Sequence, residues 1–369
     1  MRIVYFTHSL VSCWNHGNAH FVRGVLSELI ARGHEVAAFE PKDAWSLANL
    51  LKDHGEAGLA AYRSAYPELS STGYAADEDL APLVEGADVV IVHEWNDPKV
   101  VAELGRLRAG GGRFTLLFHD THHRAVSAPD EMRAFDLAHY DGVLAFGATL
   151  ARIYEQWGWA ERVFVWHEAA DTRRFRPPAE QGAREGLIWI GNWGDGERSA
   201  EIAEFLLRPA RNAGLPLDIH GVRYPAEAKS AVETFGARYH GWAANALAPE
   251  LFARHLATVH VPRRYYTELL PGIPTIRMFE ALACGIPLVS APWEDCEGLF
   301  RAGEDFLMVK DGAQMTGVLT QLKKDRELRE SLAASGLETI RARHTCGHRA
   351  DELIKIVEQL RAPALRSVA

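Results

Sequence analysis

The most informative stretch of the chain is Gly272-Ile273-Pro274-Thr275-Ile276-Arg277-Met278-Phe279-Glu280-Ala281-Leu282-Ala283-Cys284-Gly285-Ile286-Pro287-Leu288-Val289-Ser290. A loop rich in glycine and proline comes first, then a short amphipathic segment, a glycine and an apolar run. Thr275 is suited to cap the N-terminus of a helix, and Gly285 is suited to end it. The stretch therefore predicts a loop, a short helix and a buried strand.

Two charged residues of this helix point to a ligand. Arg277 and Glu280 lie three positions apart and share one face. The free N–H groups of a helix N-terminus favour an anion, and an arginine in the first turn adds positive charge for a phosphate. A carboxylate one turn further on can accept two hydroxyl hydrogen bonds, as a ribose diol would supply. The helix could therefore hold a nucleoside diphosphate; the alternative is an exposed ion pair worth about 0.2–0.5 kcal/mol.

Length and composition indicate a soluble protein of more than one domain. The chain has 369 residues, of which 47% are hydrophobic and 24% charged, and its formal net charge is -9. Length alone suggests two or three domains. The acidic balance, with a pI near 6.0, argues against a general nucleic-acid binder. No apolar run of about 18 residues occurs, so we expect no transmembrane segment.

The cysteines and the first residues indicate the compartment. The four cysteines are scattered without CxxC spacing, at Cys13, Cys284, Cys296 and Cys346. The chain enters a strand pattern at its first residues, so we expect no signal peptide. Reduced thiols and a cytoplasmic location are the prediction.

Strand and helix patterns alternate through the chain. We predict strands at 3–6, 35–39, 88–93, 114–118, 142–146, 162–166, 187–191, 217–220, 258–261 and 287–290. The polar region 42–83 is predicted to be helical in pieces, and its acidic run at 77–79 is interpreted as a solvated face. This alternation is typical of parallel sheets covered on both faces. The fold class is therefore α/β, with two Rossmann-like doubly wound domains that face each other across a cleft.

The domain boundaries follow from a charged segment that ends in two prolines, Asp171 to Pro178. We predict an N-terminal acceptor domain at 1–170, a linker at 171–180 and a C-terminal donor domain at 181–345. A last helix at 346–369 could pack back on the N-terminal domain. Ligands bind beyond the carboxyl ends of parallel strands, so the cleft is the expected active site.

Polar loops follow the strands of the first domain. Gly17 and Asn18 precede a helix and could bring backbone N–H groups to a phosphate or a hydroxyl. The loop lacks the GxGxxG pattern, so a dinucleotide cofactor is not favoured, although Glu40 ends the second strand. His119, Asp120 and Glu94 follow later strands and could orient a hydroxyl or move a proton. The histidines near 119–123 also leave a metal site open as an alternative.

Cationic loops follow the strands of the second domain. Gly191, Asn192 and Arg198 join a strand to a helix in a glycine-rich loop that could cradle a diphosphate. Arg263 and Arg264 follow the strand at 258–261 and add two planar guanidinium groups, which suit phosphate oxygens.

Several segments together resemble the GT-B glycosyltransferases. The segments are His16 to Ala19, Ala31 to Val36 (ARGHEV), Asp171 to Pro177 (DTRRFRP), Arg277 to Gly285 (RMFEALACG), and 298–305 with 344–349. The chain is most similar to the large group-1, family 4-like set of retaining enzymes, and within it to the CgeB-type spore-maturation branch. The resemblance covers most of the chain.

The resemblance implies transfer from a nucleotide sugar to an acceptor hydroxyl, with retention and without a metal or other cofactor. Glu280 would bind the ribose, and Arg198, Arg263 or Arg264, and Arg277 would steady the diphosphate. The base would lie near Tyr239 and Trp242, and His119 would be the active-site histidine of the N-terminal domain. UDP-, GDP- and TDP-linked donors all remain open. The acceptor could be a glycan, a small molecule, a lipid or a protein, and nucleic acid is not expected.

The sequence departs from the family pattern in three ways. The second loop glycine of the N-terminal motif is Asn18 here, and the usual Arg and Lys of the phosphate site are not in their usual spacing. The third departure concerns a pair of glutamates. The family carries two glutamates separated by seven residues, and the first of these positions is Gly272 here. Two alternatives remain. One is an epimerase or hydrolase, because such enzymes share this fold, and the other is a non-catalytic nucleotide-sugar-binding protein, which the missing glutamate would mark. Aromatic residues that could line an acceptor cleft are Trp14, Trp45, Tyr62 and Trp95.

Overall fold

The computed structural model describes residues 1–15, 17–179, 182–194 and 196–362. His16 and Asp195, which belong to two of the loops discussed above, lie outside the described residues, as do 180, 181 and 363–369.

The N-terminal domain is built on a sheet of seven parallel strands in the order β3-β2-β1-β4-β5-β6-β7, counted over the described residues. The strands are β1 (Arg2–Phe6), β2 (Glu35–Pro41), β3 (Ser71–Tyr74), β4 (Val89–His93), β5 (Thr115–Asp120), β6 (Gly142–Ala145) and β7 (Val163–Val165). The helices are α1 (Ala19–Ala31), α2 (Trp45–His54), α3 (Ala57–Ala65), α4 (Ala81–Val84), α5 (Pro98–Ala109), α6 (Arg124–Ser127), α7 (Pro129–Arg133) and α8 (Ala148–Trp157).

The C-terminal domain repeats this plan with six parallel strands in the order β10-β9-β8-β11-β12-β13. The strands are β8 (Leu187–Ile190), β9 (Leu217–His220), β10 (Arg238–Gly241), β11 (Ala257–His260), β12 (Leu288–Ser290) and β13 (Leu307–Met308). The helices are α9 (Ser199–Ile202), α10 (Arg208–Asn212), α11 (Ala226–Thr234), α12 (Ala248–Ala253), α13 (Ile276–Ala283), α14 (Gly312–Lys324), α15 (Arg326–Arg343) and α16 (Cys346–Arg361). A π-helical turn (Ala203–Leu207) joins α9 to α10, a second one (Tyr265–Leu269) precedes α13, and a 3-10 turn (Asn245–Leu247) precedes α12.

Burial explains why the central strands were readable from sequence. All five residues of β4 and all six of β5 are buried, so these strands have helices on both faces. The predicted fold class, two doubly wound parallel sheets, is confirmed.

Three strands were missed for a common reason. β3 lies inside the region predicted to be helical and pairs in parallel with β2, yet only Tyr74 of its four residues is buried. β10 has no fully buried residue, and β13 is two residues long. Each lies at a sheet edge and lacks an apolar run. The acidic run 77–79 is exposed as predicted, but it lies in a loop after β3 and not in a helix.

The last described helix returns to the N-terminal domain. The indole Nε1 of Trp166 donates to the carbonyl of Arg349 at 2.9 Å, and the Arg361 Nε donates to Thr115 Oγ1 at 3.1 Å. Gly24 on α1 permits this close packing, because a Cβ there would lie 2.5 Å from the Cys346 sulfur. The last helix therefore follows the C-terminal domain in sequence but packs on the N-terminal domain, so it connects the two domains.

None of the helices within the described part of the chain combines the length and apolarity needed to span a bilayer.

Candidate active site

A cavity of about 870 Å³ lies between the carboxyl edges of the two sheets. The loops after β1, β2, β4 and β5 line it on one side. The loops after β8, β9, β10 and β11, together with the start of α13, line it on the other. Both sheets reverse their strand order at this edge, between β1 and β4 and between β8 and β11, where ligands bind in such folds.

The C-terminal side of the cavity is cationic. Among the described lining residues four are arginines, and a single one, Glu197, is a carboxylate; the arginines are Arg198, Arg223, Arg263 and Arg277. The whole chain carries a formal charge of -9, so this local excess runs against its overall balance. An anion is the ligand class that such a surface attracts.

Arg198 is held by backbone carbonyls. Its Nη1 and Nη2 donate to the carbonyls of Val261 and Asn192, both at 2.6 Å, and its side chain is almost fully buried. Burial lowers the pKa of its guanidinium to about 10, with Glu197 opposing the shift, so the group is charged at neutral pH. The positive charge is fixed in place before any ligand arrives, which is the preorganisation that phosphate binding needs.

Arg263 and Arg264 are adjacent in sequence but lie on different surfaces of the domain. Arg263 lines the cavity, and its Nε donates to Glu197. Arg264 does not line it; its Nε donates to Glu201 at 2.8 Å on the exterior of the domain. The sequence left open which of the two arginines would contact a diphosphate. Because Arg263 faces the cavity and Arg264 does not, Arg263 is the candidate for that contact.

Sequence reasoning missed Arg223. It lines the cavity from the loop after β9 and has a φ of 57°, a left-handed backbone conformation that a non-glycine residue adopts at some cost. No motif surrounds it, and the sequence offered no signal beyond its charge.

The start of α13 also faces the cavity, at Thr275, Ile276 and Arg277. Thr275 occupies the N-cap position, but its side chain makes no capping bond, so that prediction is wrong. Its Oγ1 lies 3.2 Å from Nε2 of His260 instead. Burial, with a contribution from Arg198, lowers the pKa of His260 to about 3, so this ring is neutral. Gly285, with a φ of 61°, ends the helix as predicted.

Glu280 lies behind the cavity surface. Its side chain is fully buried and does not line the cavity. The Nη1 of Arg277 donates to its Oε2, and the Nδ2 of Asn245 donates to its Oε1 at 3.3 Å. Burial raises the pKa of the carboxyl to about 7, and Arg277 opposes the shift. The alternative of an exposed ion pair is excluded, and a ribose could touch Glu280 only if a neighbouring side chain moved.

Gly272 explains the missing glutamate of the family pattern. Its φ is +90°, and a Cβ there would lie 2.3 Å from the sulfur of Cys296. The backbone at this position is therefore built for glycine, and a glutamate would be strained.

The predicted catalytic residues of the N-terminal domain lie under the cavity wall. Glu94, His119 and Asp120 are fully buried, and none lines the cavity. His119 Nδ1 is 2.5 Å from the hydroxyl of Tyr5. The Tyr154 hydroxyl donates to Asp120 at 2.8 Å.

Burial sets the ionisation of this group. It raises the pKa of both Glu94 and Asp120, with Arg124 opposing the shift at each, and lowers that of His119 to about 3. None of the three therefore reaches the surface of the cavity. The residues of the same loop that do line it are Thr121, His122 and His123.

The remaining predicted residues divide in the same way. Gly17, Asn18, Gly191, Asn192 and Trp242 line the cavity. Tyr239 does not, because its hydroxyl donates to the carbonyl of Gly221 at 2.9 Å and its ring packs on Tyr224. The structure thus brings together eight predicted residues, namely Gly17, Asn18, Gly191, Asn192, Trp242, Arg198, Arg263 and Arg277.

Comparison with known proteins agrees with this geometry. Residues 198–355 match a family model described as glycosyl transferase-like. No functionally curated protein matches the sequence significantly. The matched residues belong to the C-terminal half of the chain, from Arg198 to a position within α16.

Solved structures share the fold over nearly the whole chain. One is an alpha-glucosyltransferase in complex with UDP and a 13-mer DNA, with a TM-score of 0.71, 14% identity and coverage of 97% of this chain and 99% of that one. A second is sucrose-phosphate synthase from Thermosynechococcus elongatus, with a TM-score of 0.64, 16% identity and coverage of 98% of this chain and 99% of that one. A third is T4 phage BGT in complex with its UDP-glucose substrate, with a TM-score of 0.60, 11% identity and coverage of 98% of this chain and 99% of that one. At these identities the likeness shows the GT-B fold.

Proposed function

We propose that the protein transfers a glycosyl group from a nucleoside-diphosphate sugar to an acceptor hydroxyl. The observation that carries the proposal is the arginine cluster at the carboxyl edge of the second sheet, next to the N-terminus of α13. A diphosphate is the anion that fits two or more guanidinium groups and a helix N-terminus together. The glycosyl transferase-like match over residues 198–355 covers this same domain.

The donor would lie along the C-terminal side of the cavity. Its diphosphate would contact Arg198, Arg263 and Arg277, and its base would lie near Trp242. Trp242 lines the cavity, so the face of its ring is available to pack against a base, whereas its indole Nε1 is buried. Gly17 meets the donor side from the opposite domain, since a Cβ there would lie 3.3 Å from a methyl of Ile276.

We propose retention of the anomeric configuration. Of the two retaining routes, a double displacement would need a carboxylate placed to attack the sugar, and the described cavity lining offers only Glu197, which is bonded to Arg263. The departing phosphate can instead take the proton of the acceptor hydroxyl on the same face. Solved neighbours include both alpha- and beta-glucosyltransferases, so the fold does not decide the stereochemistry, and the anomeric configuration of the product tests the proposal.

Charge on the leaving diphosphate would be stabilised by arginines rather than by a metal. Charge grows there as the bond to the sugar breaks, and fixed guanidinium groups in a water-poor cleft lower the energy of that state. One solved neighbour is described in complex with UDP and Mn2+, so independence from a metal ion has to be tested on this chain itself.

The test begins with a thermal-shift screen of UDP-, GDP-, TDP- and CDP-sugars, because ligand binding adds directly to stability. Donors that stabilise the protein are then incubated with an acceptor library, with EDTA and without it, and products are read by mass spectrometry and NMR. Transfer with an unchanged anomeric configuration in EDTA is the expected result. Free sugar or an epimer formed without acceptor, and no transfer, would favour the hydrolase or epimerase instead.

A further inference from the structure

The N-terminal side of the cavity carries an aromatic ring on every loop that lines it. Trp14 follows β1, Trp45 begins α2 after β2, Trp95 follows β4, and His122 and His123 follow β5. These four strands are adjacent in the sheet, in the order β2-β1-β4-β5. We call these five residues the aromatic wall.

The rings of the aromatic wall are contiguous. The Trp14 and Trp45 centroids lie 6.0 Å apart, and the buried ring of His8 bridges Trp45 at 4.8 Å and Trp95 at 6.2 Å. Trp95 lies 5.1 Å from His122. The three tryptophans are half-buried and belong to none of the hydrophobic cores formed by the described residues. Large rings that remain in contact with solvent inside a cavity mark a surface for an apolar ligand face.

Amide side chains border the wall. Asn15, Asn18 and Asn49 line the same side of the cavity, next to Thr121. Asn49 donates to the carbonyl of Trp45 at 2.8 Å, and Asn18 donates to Thr121. Within the described residues, Oδ1 of Asn18 and Oδ1 of Asn49 accept no hydrogen bond. Each remains available to a ligand hydroxyl.

Charge separates the two sides of the cavity. All four lining arginines belong to residues 198–277, and the described N-terminal lining has neither lysine nor arginine. A nucleic-acid acceptor needs cations along its phosphates. The cation nearest the wall is Arg124, which packs on the Trp95 ring at 4.3 Å, does not line the cavity and is paired with Glu94. A neutral ligand is the one that fits.

The rings of two neighbouring pairs are steeply inclined to each other. The planes of Trp14 and Trp45 meet at 77°, and those of Trp95 and His122 at 67°. No parallel slot is formed between these pairs for a flat aromatic acceptor. A sugar ring offers C–H groups on its face, which pack against a single ring, and hydroxyls at its rim, which reach amides beside it.

We propose that the acceptor is a neutral saccharide whose sugar ring packs on Trp45 and Trp95 while its hydroxyls bond the neighbouring amides. This inference rests on the proposed function, because it names the acceptor of that reaction.

The experiment measures acceptor binding without any donor. An array of neutral and acidic glycans is screened against the wild type, Trp45→Ala, Trp95→Ala and the control Trp157→Ala, an exposed tryptophan at the end of α8. A phenol series and a DNA duplex are assayed in parallel by saturation-transfer NMR. We expect neutral glycans to bind the wild type and the control, and each wall variant to bind about tenfold more weakly, as when a central aromatic contact is removed.

Donor binding on the same proteins separates this inference from the proposed function. Unchanged donor affinity and thermal stability in the wall variants would show that only the acceptor site was altered, and Trp45→Phe and Trp95→Phe replace any alanine variant that fails to fold. Binding of phenols or DNA in place of neutral glycans, or glycan binding unaffected by both wall variants, would overturn the inference while leaving the donor assignment intact. A wild type that binds glycans and no nucleotide sugar would instead overturn the proposed function.

Discussion

Arg277 lines the cavity and donates a hydrogen bond from Nη1 to the carboxylate of Glu280, which is fully buried beside it. The two residues lie one helical turn apart on α13, and Asn245 holds the other carboxylate oxygen. The glutamate therefore fixes the orientation of the guanidinium that faces the ligand. In this arrangement Glu280 is a positioning residue for Arg277.

The first prediction separates positioning from direct contact. Arg277→Ala should weaken donor binding by at least about tenfold, because a charge-assisted bond to phosphate is lost. Glu280→Gln should weaken it less, since the amide keeps the shape and one acceptor oxygen. The double variant should bind no more weakly than Arg277→Ala in calorimetry, as expected for two residues acting through one contact. Additive losses would show instead that Glu280 contacts the ribose itself.

The second prediction uses two adjacent arginines as a matched pair. Arg263→Ala should raise the dissociation constant for a nucleoside diphosphate by about tenfold or more, because its guanidinium lines the cavity. Arg264→Ala should leave it unchanged, because Arg264 is bonded to Glu201 outside the cavity. Comparable losses in both variants would indicate a long-range charge effect and not a contact.

The third prediction concerns the backbone at Gly272. Gly272→Ala should lower the free energy of unfolding by about 1–3 kcal/mol, because φ is +90° and the new Cβ meets the Cys296 sulfur. Gly317→Ala in α14 is the control, since its Cβ would have open space; it should stabilise by about 0.5–1 kcal/mol. Chemical denaturation measures the free energy of unfolding of both variants. A Gly272→Ala variant as stable as the wild type would show that the backbone at this position is not strained.

The fourth prediction follows from the raised pKa of Glu280. The folded protein holds a proton on this carboxyl up to about pH 7, whereas the unfolded chain releases it near 4.5. Its contribution to stability therefore declines as pH rises between these values. Glu280→Gln removes this decline, so its stability relative to wild type should improve by on the order of 3 kcal/mol from pH 4.5 to 8. If the difference in stability between Glu280→Gln and the wild type were the same across that pH range, the pKa of Glu280 would not be raised by folding.

The sequence predicted most of the architecture because buried parallel strands have apolar runs on both faces. β4 and β5 were visible for this reason, whereas the edge strand β3, with one buried residue, was not. The same limit applies to the site. Linear spacing shows that a residue follows a strand, but it does not show whether the side chain turns into the cavity or away from it.

Particular residues illustrate this limit. Arg263 and Arg264 are adjacent in sequence and face different surfaces. Of the four aromatic residues considered for the acceptor, Trp14, Trp45 and Trp95 line the cavity, whereas Tyr62 is buried and donates to the carbonyl of Leu69 at 3.0 Å. Which side chain ends in the wall is settled by packing between loops that are distant in sequence.

The proposed donor site is tested most directly by a calorimetric titration of nucleoside diphosphates and their sugars into the wild type, Arg263→Ala and Arg264→Ala. We expect saturable one-to-one binding of at least one nucleotide by the wild type and by Arg264→Ala, and affinity about tenfold weaker or more in Arg263→Ala. Wild type that binds none of the nucleotides, or binding that Arg263→Ala leaves intact, would contradict the proposed donor site.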